Sequence, residues 1–469
     1  MKWKTIFKSL KNKDMQKRVF GVIGIIVIYR FLSHIPVPLA EPTQLKDVVS
    51  KAINSTDLGG ILNLLSGGAL TQFSIMLVGL SPFITASIIS QLMTKAIPAL
   101  EEMSNNGESG RQKINQWTRI IAVPLAIVQS IAYIFILQST VLQNNTTVFE
   151  GMSQLDWIVA VASMSAGSIL LMWLGELITE KGVGNGISLI IFAGIVAQLP
   201  ATLGTFVASL GDTSTYGKMS IFNWFSLPVN PVAFWIMVVM LAVGIILLYI
   251  LVKINEAQRV VTINYAKRVH GNSTYGGIKS ILPIKMIVAG VVPVIFAVSF
   301  LSLPAFIGQV MKSSNTNTQL ADKLITWFQA PNPGSFTGQT WEAFIYPVVY
   351  FILIVAFTYF YTSIVFNSNE IAENLQKQGG FIEGVRPGVK TAHFLNGIVN
   401  RLNLFGALAL GLISIMPFVA DYLLYHWAQV QNSNLSIGGT GLLIVVTVAL
   451  ETLRSLGSRA MMVTYDDYK

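Results

Sequence analysis

Apolar runs of about 20 residues recur along the whole chain, each long enough to cross a hydrocarbon core about 30 Å thick. In that setting the backbone must satisfy its own hydrogen bonds, so the runs read as spanning helices. Composition agrees: of 469 residues, 53% are hydrophobic and only 11% charged, against about 25% charged in ordinary soluble domains. The mean hydropathy is +0.61. The fold class expected is an all-α polytopic membrane protein. No cysteine is present, which excludes a disulfide framework, a thiolate metal site and a catalytic thiol.

Spans are expected near 19–33, 75–95, 117–138, 155–177, 186–207, 231–252, 282–304, 342–366, 394–420 and 438–456. The apolar run after the basic head "MKWKTIFKSLKNKDMQKR" has no small-residue cleavage site behind it, so it reads as a retained first helix. An even number of spans puts both ends on one side, and the distribution of Lys and Arg makes that side the cytoplasm. The head and the loops holding "KINQWTR", Lys181, "QRVVTINYAKR" and "QKQGGFIEGVRPGVK" carry most of the positive charge. Only Lys46, Lys51, Lys218, Lys312 and Lys323 fall on the other side. The net charge of +9 is therefore mostly a cytoplasmic face, accounted for by topology and attraction to anionic lipid.

One apolar stretch does not fit. Residues 59–74, "GGILNLLSGGALTQFS", are too short to cross a bilayer and are broken by two Gly-Gly pairs. The residues alone leave two readings open, a re-entrant segment that only packs and a short element that moves.

Ionisable groups are costly inside a membrane and mark ion or proton paths, but no Asp, Glu or His falls at an expected midplane. Arg30 lies near a span end, where it can snorkel, and Lys285, Arg401, Glu451 and Arg454 fall toward cytoplasmic ends. This speaks against a coupled secondary transporter and for a passive conduit driven from outside. An intramembrane serine protease would need Ser109 of "GESG" as nucleophile, but that motif reads as part of a polar loop with no His nearby. "GVGNG" at 182–186 lacks the Lys-Ser/Thr of a P-loop and reads as a tight turn with Asn185 capping the next helix. The four histidines are scattered, so no metal site is indicated.

Two cytoplasmic loops exceed the length a connection needs. In 253–281, "VVTINY" and the turn-forming "HGNSTYGG" read as a projecting β-hairpin, with Lys267 and Arg268 near its tip. Residues 367–393 begin as a short amphipathic helix, break at Gly-Gly and lead to Arg386-Pro387. Basic tips on rigid stems suit docking to a large anionic partner.

A set of motifs now resembles one family. "LLSGGALTQFSIMLVGLSPFITASIISQLM", "GESGRQKINQWTR", "WLGELITEKGVGNGISLIIFAGIV", "NYAKR", "LPIKMIVAGVVPVIFA", "EIAENLQKQGGFIEGVRPG", "NRLNLFGAL" and "GGTGLLIVVTVAL" occur in the order and spacing of the SecY family, over essentially the full length. The resemblance implies ten transmembrane helices in two inverted, pseudo-symmetric five-helix halves around a central pore, with a plug half-helix. It implies these bounds: a basic N-terminus 1–18, an N-terminal half 19–207 holding the plug 57–74, an external connection 208–230, a C-terminal half 231–456 and a short tail 457–469. The half-helix becomes the plug, with Gly60, Ile61, Leu62, Leu64, Leu65, Gly67 and Gly68 in it.

The pore ring implied by the family falls on Leu80, Ile84, Ile187, Ile191, Ile295 and Ile444. A dry aliphatic ring blocks hydrated ions yet binds no particular substrate group. The lateral gate falls between the second and seventh spans, at Thr85, Ser87 and Leu303. Hydroxyls bonded across a closed gate contribute about 1 kcal/mol each, less than an arriving signal-peptide helix gains by burying an apolar face. Lys267, Arg268 and Arg386 match docking positions. Implied partners are SecE- and SecG-type subunits, a SecA motor, the ribosome, secretory preproteins with their signal peptides, and the lipid bilayer. The implied location is the bacterial cytoplasmic membrane, and the activity is non-enzymatic conduction of unfolded polypeptide, with no cofactor.

The sequence departs from the family pattern at Glu383, where Pro is usual in "GGFIPG", placing a negative charge three residues before Arg386. The tail after Arg459 is short, and the external segment 305–341 is long and has no functional reading.

Overall fold

Helix caps and glycine turns decide where the apolar runs begin and end in the computed structural model. It describes residues 12–38, 73–105, 107–143, 153–211, 219–221, 225–227, 231–265, 268–270, 273–275, 279–314, 317–331, 341–428 and 438–466. The plug positions Gly60 to Gly68, and Lys267, lie outside these residues.

The elements in chain order are α1 (Lys13–Leu32), α2 (Ser81–Ala96), α3 (Pro98–Asn105), α4 (Gly107–Gln143), α5 (Gln154–Lys181) and α6 (Gly186–Gly211). A short hairpin β1 (Met219–Ile221) and β2 (Phe225–Leu227) precedes α7 (Pro231–Glu256). Then come β3 (Gln258–Tyr265), β4 (Arg268–His270), β5 (Ser273–Tyr275) and β6 (Lys279–Lys285), followed by α8 (Val292–Ser313) and α9 (Thr318–Phe328). The chain closes with α10 (Ile345–Val365), α11 (Ser368–Lys377), β7 (Gly380–Ile382), α12 (Val389–Ala428) and α13 (Gly438–Asp466). Among the described residues, six helices are long and apolar enough to span a membrane, or seven if the bent pair α2–α3 counts as one. That pair bends by 105°, where Ile97 is held extended in front of Pro98.

By its contacts the chain divides into two units that interleave along the sequence. The first comprises Met1–Met240, Val298–Pro347 and Pro417–Lys469. Here α5 begins at a capping box: Ser153 Oγ accepts from the Leu155 N–H, and the Asp156 carboxylate accepts from the Ser153 N–H at 2.9 Å. It ends at Gly182, whose φ of 71° makes the left-handed stop. The tight turn expected at 182–186 is present, and Asn185 Oδ1 accepts from the N–H groups of Ile187 and Ser188. Helix α6 packs against α5 at closest range where Gly186 meets the Gly175 carbonyl, a space no Cβ can share. Leu77, Val78, Tyr133, Ile134 and Met164 form a buried cluster that joins α4, α5 and the turn before α2.

The second unit comprises Leu241–Ala297 and Val348–Met416. Its three-stranded sheet has the order β6-β3-β7, with both pairings antiparallel. The expected hairpin is therefore present, with β4 and β5 pairing in its outer part. An addition is β7, which brings the second long loop onto the same sheet. Val261, Ile284 and Ile382 on the sheet and Leu395 and Val399 on α12 form one buried cluster. At the joint, Gly380 lies so close to Tyr265 and Ile263 that a Cβ would meet both within 3.2 Å.

Three expectations are corrected. The second span, placed at 75–95, starts as a helix only at Ser81, because Gly79 turns left-handed at φ 61°. The run placed at 282–304 begins as strand β6, and the helix waits until Val292, after Gly290 at φ 63°. Pro283 sits on the sheet's edge strand, where the missing N–H costs nothing. The "GESG" stretch is the N-terminal turn of α4, with Ser109 exposed in it.

Candidate pore and docking sites

Leu80 caps the N-terminus of α2, and Ile84 lies one turn along it, its N–H donating to the Leu80 carbonyl at 2.9 Å. Both are dry, at 2% and 3% exposure. On α6, Ile191 is equally buried, while Ile187 is half-buried and its Cγ1 lies beside Gly175 of α5. Helix α6 packs against α13, which carries the buried Ile444. These five positions belong to the first unit, on three helices that meet α4, α5 or one another. Ile295 is buried in the second unit, near the start of α8.

The end of this first unit at the α5–α6 turn is tied together by polar contacts. Arg18 of α1 donates to the Lys181 carbonyl at 3.1 Å, and Ser455 of α13 donates to the Gly182 carbonyl at 3.4 Å. Both donors meet the C-terminal end of α5, where carbonyls lack helical partners and positive charge is favoured. The start of α6, and with it Ile187 and Ile191, is thereby anchored to α1 and α13.

Of the gate positions, Ser87 accepts from Gln91 Nε2 at 3.0 Å within its own helix. Thr85 Oγ1 is buried with no hydrogen-bond partner among the described residues, and Ser299 Oγ on α8 is in the same state. Leu303 is half-buried. A buried hydroxyl left unpaired costs about 1–3 kcal/mol, so this arrangement carries two polar groups, on α2 and α8, that are unsatisfied among the described residues.

Arg386 is exposed in the turn between β7 and α12, flanked by Gly384 (φ 78°) and Gly388 (φ 90°). Thr391 Oγ1 donates to its carbonyl at 2.9 Å, fixing the backbone while leaving the guanidinium free to the surface. Glu383, also exposed, stands on the same turn. Arg268 opens β4, on the hairpin that shares the β3 chain with β7. The Arg386 turn follows β7 of the β6-β3-β7 sheet, whereas Arg268 lies in the separate β4-β5 pair at the outer part of the hairpin that supplies β3 and β6. Among the described residues, no group of three or more His, Asp or Glu side chains is arranged to hold a metal.

Sequence reasoning missed Gly167 and Ser168 of α5, which grip the turn before α2. A Gly-Ser pair inside an apolar helix carries no local signal of the turn it touches 89 positions away.

Comparison with known proteins fits this geometry. The sequence model of the SecY family matches residues 74–453. The protein translocase subunit SecY of Streptomyces scabiei is 35% identical over 466 residues, covering 98% of each chain. That of Corynebacterium glutamicum is 36% identical over 469 residues, again covering 98% of each. A solved structure described as that of a protein conducting channel superimposes with a TM-score of 0.61 at 16% identity, covering 93% of this chain and 90% of its own. Another, of a SecY whose plug domain is described as stabilising the closed translocation channel and maintaining a membrane seal, gives 0.63 at 17% identity with the same coverage. The chain is a multi-pass membrane protein that belongs to the SecY family.

Proposed function

We propose that this chain is a passive protein-conducting channel, moving unfolded secretory polypeptides across the cytoplasmic membrane and releasing apolar segments sideways into lipid. The observation that carries this reading is the dryness of the aliphatic ring positions: Leu80, Ile84, Ile191, Ile295 and Ile444 are all 5% exposed or less. Such a constriction blocks ions by dewetting and has no charge to favour one solute. Ile187, half-buried beside Gly175, and Ile295, in the second unit, join them by family resemblance. The plug is assigned to 57–74 on the same resemblance.

Thr85, Ser87 and Leu303 form the lateral gate in this reading. The Thr85 hydroxyl supports it: left without a hydrogen-bond partner among the described residues, it weakens the contact that an arriving helix must displace. Lys267, Arg268 and Arg386 dock the driver. The pairing of β3, the strand that leads into the hairpin carrying Arg268, with β7, which precedes Arg386, supports engagement of both loops by one large partner, a SecA-type motor or a ribosome. A related structure is described as Sec61 in a canine ribosome–channel complex. SecE- and SecG-type subunits complete the assembly, both termini face the cytoplasm, and the chain itself hydrolyses no nucleotide. The two halves 19–207 and 231–456 are related by pseudo-symmetry, which is a different division from the packing units.

The test uses the Cys-free sequence. Ile191→Cys is combined with a stalled secretory chain bearing a single cysteine. A disulfide that forms only with an intact signal sequence is expected. No disulfide, while a cysteine on the Arg386 loop does react, means docking without passage and removes the pore assignment.

A further inference from the structure

The turn that begins the gate helix is held from two sides. On one, the chain after α1 pairs with it: Pro36 and Ser74 form an antiparallel bridge, the Val37 N–H donates to the Phe73 carbonyl at 2.9 Å, and the Ile75 N–H to the Ile35 carbonyl at 3.0 Å. On the other, α5 grips it. Ser168 Oγ donates to the Gly79 carbonyl at 2.8 Å, and Gly167 lies against the Ile75 carbonyl where no Cβ fits. Ser168 is 3% exposed, so water cannot replace its hydroxyl. Gly79 is buried at φ 61°, and the next residue is Leu80.

We propose that Ser168 is a positioning residue for the pore: its bond to the Gly79 carbonyl sets the left-handed turn that aims Leu80 and starts α2. This rests on the reading of Leu80 as a ring residue. The hydroxyl does not touch the translocating chain; it acts through Gly79. Without it, a buried carbonyl loses its partner, and the turn relaxes toward whatever other donor it can reach. Leu80 moves with it, because the held carbonyl belongs to the peptide bond that joins Gly79 to Leu80. The pairing with residues 35–37 keeps the base of the turn in place, so the change is confined to 76–80 and α5 stays packed.

Labelling tests it. In the full chain, within its native membrane complex, Leu80→Cys is modified by a small charged thiol reagent in the resting state. Adding Ser168→Ala is expected to raise the modification rate about tenfold, the scale of one lost buried hydrogen bond. Ser168→Thr, which keeps a hydroxyl, should restore protection. Ser165→Ala is the control: its hydroxyl is also buried on α5 but meets Ser130 and the Val161 carbonyl and not the turn. An unchanged rate in Ser168→Ala, or an equal rise in Ser165→Ala, overturns the proposal. If Leu80→Cys does not accumulate, Ile84→Cys reads the same helix start.

Ion leak separates the two readings. Ser168→Ala in the otherwise unaltered chain should raise closed-state conductance if Leu80 belongs to the ring. Raised labelling with unchanged leak keeps Ser168 as the anchor of the turn and removes Leu80 from the seal. Unchanged labelling, with the Ile191→Cys crosslink still forming, overturns the role of Ser168 alone.

Discussion

Leu80 and Arg386 both stand on turns shaped by left-handed glycines, Gly79 at φ 61° before the first, and Gly384 and Gly388 at 78° and 90° around the second. Both turns are held by a hydroxyl that donates to a backbone carbonyl, Ser168 to Gly79 at 2.8 Å and Thr391 to Arg386 at 2.9 Å. The same device serves opposite ends. At Leu80 the turn is enclosed by α5 and by the chain after α1, so its side chain is sealed at 2% exposure. At Arg386 only the backbone is held, and the charged side chain reaches outward. In the proposed roles, a seal needs its surroundings filled, whereas a docking residue needs its base fixed and its tip free. The first turn should therefore respond to added volume and the second to charge.

The largest effect is expected from Gly167→Ala. The new methyl runs into the Ile75 carbonyl, which belongs to backbone pinned by Ile35 and has no room to retreat. Overpacking of a filled core costs about 1–3 kcal/mol and occasionally more, and this site sits at the upper end. Thermal unfolding in detergent should show a clearly lowered midpoint or little folded protein. A midpoint within a degree or two of the parent would mean that the turn is not enclosed, and the contrast with Arg386 would collapse.

How far such sites can be read from sequence follows from the range of the interactions. The apolar runs, the Asn185-capped turn, the hairpin at 258–285 and the amphipathic start at 368 are local patterns, and each is present. What local pattern could not supply is where a partner element interrupts a run. "SIMLVG" before Ser81 is apolar enough to be helix. It is turned instead by Gly79, whose conformation is stabilised by a serine 89 positions away. "KSILPIK" is apolar enough to start a span, but pairs with β3 because that strand needs a partner. Likewise β7 is three residues long and gains its strand character only from β3. The ring positions were reached by family resemblance, since aliphatic pairs four apart occur in every span. Their dryness became visible only with the packed helices around them.

A smaller effect is expected at Gly384→Ala, which sharpens the comparison by separating strain from space. Nothing lies within 4 Å of the added Cβ there, but φ is 78°. A left-handed conformation costs an L-residue about 1–2 kcal/mol, so the midpoint should fall modestly. The Arg386 loop would shift to relieve the strain, and partner binding should weaken more than stability does. An equal loss at Gly167→Ala and Gly384→Ala would show that conformation, not enclosure, limits both turns.

The least effect on stability, with a distinct effect on binding, belongs to Arg386→Glu. The side chain is exposed, and surface substitutions of this kind usually stay within about 0.5 kcal/mol. The Thr391 hydroxyl bonds the backbone carbonyl, so reversing the charge leaves the turn intact. The change puts a second carboxylate three residues from Glu383, and a negative partner surface then meets repulsion where it met attraction. Affinity for the motor or the ribosome should fall several-fold, mainly through slower association, because a rim charge acts chiefly on the encounter. Added salt should shrink the difference between variant and parent, since exposed charges are screened over about 10 Å at 0.1 M. A loss of affinity that salt leaves unchanged would place the effect in the turn's shape, and Arg386 would then resemble Leu80 after all: a residue whose role is packing, held by the same kind of hydroxyl for the same purpose.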